Sequence, residues 1–127
     1  MKTLTAEIIQ NYLKIHALDL KSTHHQLSIP IINRIFKKMK NGIKFSEIKI
    51  HEKLIIDGHH RYISAQLANY EIKALPFNKN SETKIYEWEN VKFVNEEWDT
   101  IHKIQHLNKL DAEYNQISIE LINQMIE

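Results

Sequence analysis

The 127-residue chain has no cysteine, which removes disulfides, thiolate metal sites and cysteine nucleophiles from consideration. Glycine and proline are scarce, with two of each. Gly42, Gly58, Pro30 and Pro76 therefore act as punctuation marks, not as parts of a biased segment. Long apolar runs are missing too, and none approaches the roughly 18 residues needed to span a bilayer. The N-terminal Met1-Lys2-Thr3-Leu4 lacks the apolar stretch of a signal peptide. These absences predict a chain with no membrane partner, either cytoplasmic or exported by a signal-peptide-independent system.

What is present suits one globular domain. Hydrophobic residues make up 43% and charged residues 26%, ordinary values for a chain that buries a core. The net charge of +1 hides an asymmetry. Residues 1–63 carry eleven Lys/Arg against five Asp/Glu, and residues 64–127 carry six against eleven. A basic first half suits a polyanionic ligand, while the acidic second half argues against wrapping a long duplex. A nucleotide or a short stretch of nucleic acid fits this balance better.

The most informative stretch is KLIIDGHHRYISAQLANYEIKALP, residues 53–76. Leu54-Ile55-Ile56 is too short for a helix and reads as a buried strand. Asp57-Gly58 interrupts it, and Tyr62, Ile63, Gln66, Leu67 and Tyr70 then recur at helical spacing, so a helix starts near His59. Glu71–Leu75 reads as another strand, closed by Pro76. His59, His60 and Arg61 thus stand at a helix mouth, where free backbone N–H groups and the positive end of the helix dipole attract anions. Gly58 allows close approach to the backbone, and the Arg61 fork can hold two phosphate oxygens.

The IDGHHR turn with Ala65 behind it resembles the signature of the ParB/sulfiredoxin superfamily, and its spelling is most similar to the small ParB-like nuclease and kinase-like branches. The resemblance covers Ile43–Pro76 well and Leu20–Gly42 in outline. It implies a small mixed sheet flanked by helices, an α/β (α+β) fold. Residues 1–94 would form that core, and residues 95–127 a helical C-terminal extension of the same domain. Sulfiredoxin's own chemistry is excluded, because that branch needs a cysteine in the turn. Relatives place a phosphate-contacting residue in the segment matching Leu20–Ser28, where only Lys21, His24 and His25 are available here.

The remaining elements follow from periodicity and caps. Thr5 can cap a helix presenting Ile8, Ile9, Tyr12, Leu13 and His16 and running to about Leu18; an extended Leu13–Leu18 is the alternative. Leu20–Ser28 reads as a polar loop. Ser28 caps a helix with Pro30 in its first turn, Ile31, Ile32, Ile35, Phe36 and Met39 on one face, and Gly42 at its end. Its other face carries Arg34, Lys37, Lys38 and Lys40, either solvated or contacting phosphates. Phe45–Ile50 alternates as a strand and forms a hairpin with Leu54–Ile56. Lys84–Trp88 and Val91–Val94 read as a strand pair. Asn95 starts a helix presenting Trp98, Ile101, Ile104 and Leu107, and Asp111 caps a last helix with Tyr114, Ile117, Leu121, Ile122 and Met125. These terminal helices are candidates for a protein-partner or homodimer surface.

The candidate catalytic residues are His59, His60, Arg61 and Asp57: histidines for proton transfer, arginine for charge on a phosphoryl group. Asp57 could instead cap the helix, leaving the histidines to bond backbone. The candidate phosphate or nucleotide ligands are Gly58, His59, His60, Arg61, Lys21, His24 and His25. Asp57 is a candidate Mg²⁺ ligand, and the resemblance to phosphotransferases that use an acid near this hairpin implies a Mg²⁺ ligand or a general base at Glu47 or Glu52. Asp99, His102 and His106 have the spacing of a helical metal site but lack a fourth ligand. Trp88 and Trp98 are either base-stacking platforms or core. Together these features predict a nucleotide-binding domain, with ATP or CTP as ligand or substrate and Mg²⁺ as a candidate cofactor. Its expected work is phosphoester chemistry, as a nucleotide hydrolase or a nuclease, and the resemblance to stand-alone members of the superfamily implies a toxin-type effector. The alternatives are a non-catalytic nucleotide-dependent interaction module and a small-molecule kinase of the free-serine type.

Overall fold

Thr5, Ser28, Thr100 and Ser118 each accept a hydrogen bond from the backbone N–H three residues ahead, and a helix starts after each of them. These are α1 (Ala6–Ile15), α2 (Ile29–Lys40), α4 (Ile101–Asn115) and α5 (Ile119–Met125). The remaining helix, α3 (His59–Ala68), begins at Gly58 with no side-chain cap. Five short strands accompany them: β1 (Gln26–Ser28), β2 (Ile48–His51), β3 (Leu54–Asp57), β4 (Ala74–Pro76) and β5 (Lys92–Val94). The computed structural model from which these elements are taken describes residues 3–127.

The fold is α+β, as the sequence predicts. β2 sits between antiparallel β3 and parallel β4 in a three-stranded mixed sheet, and β1 pairs in parallel with β5. Leu4, Ile9, Leu27, Ile32, Phe36, Ile48, Ile55 and Ile63 are all nearly inaccessible and join α1, α2, α3 and both sheets in one core. Each such aliphatic side chain contributes about 1.5–3 kcal/mol relative to exposure. A smaller cluster of Ile43, Ala112 and Ile122 ties α5 and the end of α4 to the chain just after α2.

Several elements differ from expectation. Leu20–Ser28 is not a free loop: Lys21 bridges to Leu54, Ser22 bridges to Tyr86, and β1 forms at its end. Its polar side chains mask this, because the hydroxyls of fully buried Ser22 and Ser28 donate to the carbonyls of His24 and Glu96. Lys84–Trp88 and Val91–Val94 do not form a hairpin. Trp88–Asn90 is a 3₁₀ turn, the Trp88 indole donates to the Leu20 carbonyl, and β5 turns away to β1. Phe45–Ile50 is extended only from Ile48, since the Tyr70 hydroxyl accepts from the Phe45 amide before the strand begins. The Glu71–Leu75 strand is shorter and later, at β4.

The C-terminal boundaries move as well. Asn95 starts no helix; Glu96 accepts from Ser28, Arg34 grips Glu97 and Asp99, and the helix waits for Thr100. Asp111 caps nothing, lying inside a continuous α4 and accepting from Lys38 at 2.7 Å. Gln116, at φ +55°, ends α4, and Ser118 caps α5. Among the described residues no helix is long and apolar enough to cross a membrane.

Candidate functional site

Leu54–Asp57 delivers the chain to the mouth of α3 through Gly58, whose φ of +102° favours glycine over any side-chain-bearing residue. A Cβ at this position would stand 2.5 Å from Ile48 Cγ2, so the absent side chain is first demanded by the sheet packed behind the turn. No side chain caps α3, and the first-turn amides of His59, His60 and Arg61 have no acceptor among the described residues. The same residues line a cleft of about 820 Å³ between α2, the β3–α3 turn and α4.

The two histidines of the turn are held as neutral rings. The Thr23 amide donates to His59 Nε2 at 3.0 Å, and the Ser28 amide donates to His60 Nε2 at 2.9 Å. A backbone N–H can only donate, so both Nε2 atoms are acceptors and both protons reside on Nδ1. Burial, reinforced by the neighbouring His24 and His60, pushes His59 down to about 3. Burial is also the main cause that brings His60 to about 4, with Asp99 opposing it. His59 Nδ1 is buried and has no partner. Neither residue offers a basic nitrogen at neutral pH, which speaks against both as general bases and leaves them as acceptors for the Thr23 and Ser28 amides.

Arg61 is largely occupied. Its Nη1 donates to the Ser46 and Glu47 carbonyls and to the Ser46 hydroxyl, and its Nη2 to Asp57 at 3.3 Å. Asp57 therefore pairs with Arg61 and does not cap α3. His24 lies flat on His59, with ring centroids 3.8 Å apart, and its own ring makes no hydrogen bond among the described residues. Its pKa is lowered by burial, partly offset by the nearby Asp57 charge.

Asp57, Gly58, His59, His60, Arg61 and His24 thus come together on one wall. Lys21 and His25 do not: Lys21 pairs with Glu87 at 2.8 Å, and His25 sits against Tyr86. The three candidate Mg²⁺ carboxylates do not converge either. Glu52 forms the hairpin turn at the far end of β3 from Asp57, and Glu47 meets Arg61 only through its carbonyl. No group of three His, Asp or Glu side chains able to hold a metal exists among the described residues, so the Asp99–His102–His106 set fails too. Asp99 is taken by Arg34 and Lys103. Trp88 stacks on Tyr62 in the core, whereas Trp98 is 43% exposed and meets His60 edge-on beside the cleft.

The facing walls bring Arg34 and Lys38, from the basic helix face whose sequence reading left phosphate contact open, together with Lys44 and Lys103, which the sequence did not single out. Arg34 and Lys38, one helical turn apart on α2, line the cleft and pair with Glu97, Asp99 and Asp111. Lys44 and Lys103 join them, so with Arg61 and Asp57 counted five cations stand against four carboxylates, and Lys44 has no carboxylate partner among the described residues. The i, i+4 spacing of Arg34 and Lys38 beside Ile31 and Ile35 puts both cations on one edge of α2. Comparison of the chain with protein-family models, with curated proteins and with solved structures gives no match.

Proposed function

We propose that this chain binds a nucleotide in the α2–α4 cleft, with the phosphates at the first turn of α3. One observation carries the proposal: among the described residues, the only α-helix without a side-chain cap has its first turn in the wall of a cleft with surplus positive charge. The volume of about 820 Å³ matches a ligand of nucleotide size. The similarity of Asp57–Arg61 to the ParB/sulfiredoxin turn supports the same assignment. Mg²⁺, if required, would arrive on the phosphates, since no cluster of side chains able to hold a metal exists among the described residues.

A specific feature favours phosphoester hydrolysis as a second reading. His24 is the one imidazole of the cluster whose ring nitrogens are uncommitted, and Asp57 lies close enough to influence its charge. It is therefore the residue placed to take a proton from an attacking water, in place of His59 or His60.

The test is thermal stabilisation by ATP, CTP, GTP and a short single-stranded DNA, each with and without Mg²⁺, on the native chain and on Lys44→Glu/Lys103→Glu. Ligand at a hundred times its Kd adds about 2.7 kcal/mol. Nucleotide-dependent stabilisation that the double variant loses supports the proposal, and turnover abolished by His24→Gln supports hydrolysis. No stabilisation by any ligand would sink both. The exposed Ile101, Leu110 and Leu121 would then make the terminal helices, as a protein-binding or homodimer surface, the better assignment.

A further inference from the structure

Asn108 occupies a position where a helix facing the protein interior ordinarily carries an aliphatic residue. It and Ala112 are the two buried residues of α4, and Asn108 is only 4% exposed. Its Oδ1 has no hydrogen-bond partner, and its neighbours on the cleft wall include Ile104 and Leu107. An acceptor left unpaired in such surroundings costs stability, and a leucine there would not incur the cost. The same cleft is lined by His59, 2% exposed, whose Nδ1–H is likewise unpaired. The protein thus holds two unsatisfied buried polar groups in the walls of one cleft, on elements distant in sequence. Polar groups placed at a cost in a ligand-sized cavity are the groups that fix a ligand's orientation.

We infer that Asn108 reads the base of the nucleotide and that this base is adenine. The inference rests on the nucleotide assignment above and adds its specificity. A carboxamide offers an acceptor and a donor side by side, which complements the N6 amino group and N7 of adenine in one bidentate contact. With the phosphates at the first turn of α3, the base lies between α2 and α4, among Ile35, Leu107 and Trp98. Seating the base draws on the modest apolar anchoring of α4, whose exposed Leu107 and Leu110 gain cover from the ring.

The experiment titrates pyrophosphate, ADP, GDP, CDP and UDP calorimetrically into the native chain, Asn108→Leu and Asn108→Ala. ADP should bind the native protein at least tenfold more tightly than the other nucleotides. Asn108→Leu should melt at or above the native temperature, bind pyrophosphate within twofold of native, and bind ADP no better than CDP. Asn108→Ala supplies the same comparison should the leucine variant fail to fold. Retention of the ADP preference in the folded variant overturns the inference, as does an equal loss of pyrophosphate binding, which would mark a merely structural residue. A native protein that binds pyrophosphate without preferring ADP also overturns it while leaving the phosphate site standing. Binding of neither pyrophosphate nor any nucleotide removes the parent assignment, and this one with it.

Discussion

Acidification from pH 7 to pH 5 should strip several kcal/mol from the stability of this fold, through His59 and His60. In the unfolded chain both rings take up a proton near pH 6.5. In the folded protein they resist protonation until about 3 and about 4, because His59 is buried, His60 is half-buried, and each has its Nε2 lone pair bonded to a backbone N–H. Below pH 6.5 the unfolded state therefore holds more protons than the folded one, and stability falls as pH falls. The full contribution is present above pH 6.5 and is lost progressively toward the folded values. At 1.36 kcal/mol per pH unit, each ring loses about 2 kcal/mol by pH 5, somewhat less for the partly exposed His60. The sum is a large share of the 5–15 kcal/mol typical of a domain. Urea unfolding at half-unit steps from pH 8 to pH 5 measures it, as a falling midpoint with an unchanged slope. Glu97, whose carboxyl is held low by Arg34, adds to the loss only at more acid pH. His59→Gln/His60→Gln should flatten the profile, at reduced overall stability. A midpoint constant between pH 7 and pH 5 in the native chain would refute the neutral, amide-bonded assignment of both rings.

Three substitutions test the packing around the cleft. Gly58→Ala should cost about 3 kcal/mol or more in denaturant unfolding, combining a left-handed backbone with the overlap on Ile48. Asp111→Asn strands the Lys38 ammonium, whose side chain is 5% exposed, and should cost about 3 kcal/mol, whereas Lys38→Met/Asp111→Leu should recover most of that loss. Equal stability of the single and double variants would remove the pair from the account. Ser28→Ala loses the α2 cap and the bond to Glu96, for about 2 kcal/mol in the same assay, and should raise amide exchange in both α2 and residues 95–99.

Much of the first half of the fold was legible from short-range chemistry. Thr5 and Ser28 announce α1 and α2 by capping, and Leu54–Asp57 followed by glycine announces the strand, the turn and α3. What stayed hidden depends on partners far along the chain. Asn95-Glu96-Glu97 has the composition of a helix start, yet Arg34 and Ser28, more than sixty residues away, hold it out of a helix. β1 and β5 are three residues each and parallel, so neither carries a pattern long enough to register alone. The site shows the same division. The helix-mouth cluster could be read locally, but the condition of its histidines could not: amides of Thr23 and Ser28 decide that His59 and His60 are neutral acceptors. Asn108 gave no sign because an asparagine on a helix reads as surface until the opposite wall is known.

Ser28 gathers four connections in one fully buried residue. It ends β1, its hydroxyl accepts from Ile31 to start α2, the same hydroxyl donates to Glu96, and its amide donates to His60. The rim of the cleft is consequently hinged to nothing that can swing by itself. Displacing the His60 ring breaks a bond to the residue that also caps α2 and anchors the approach to α4, so local opening and global unfolding converge in free energy. If the proposed nucleotide assignment holds, its phosphates meet a first turn already fixed in place, and little ordering entropy remains to be lost on binding.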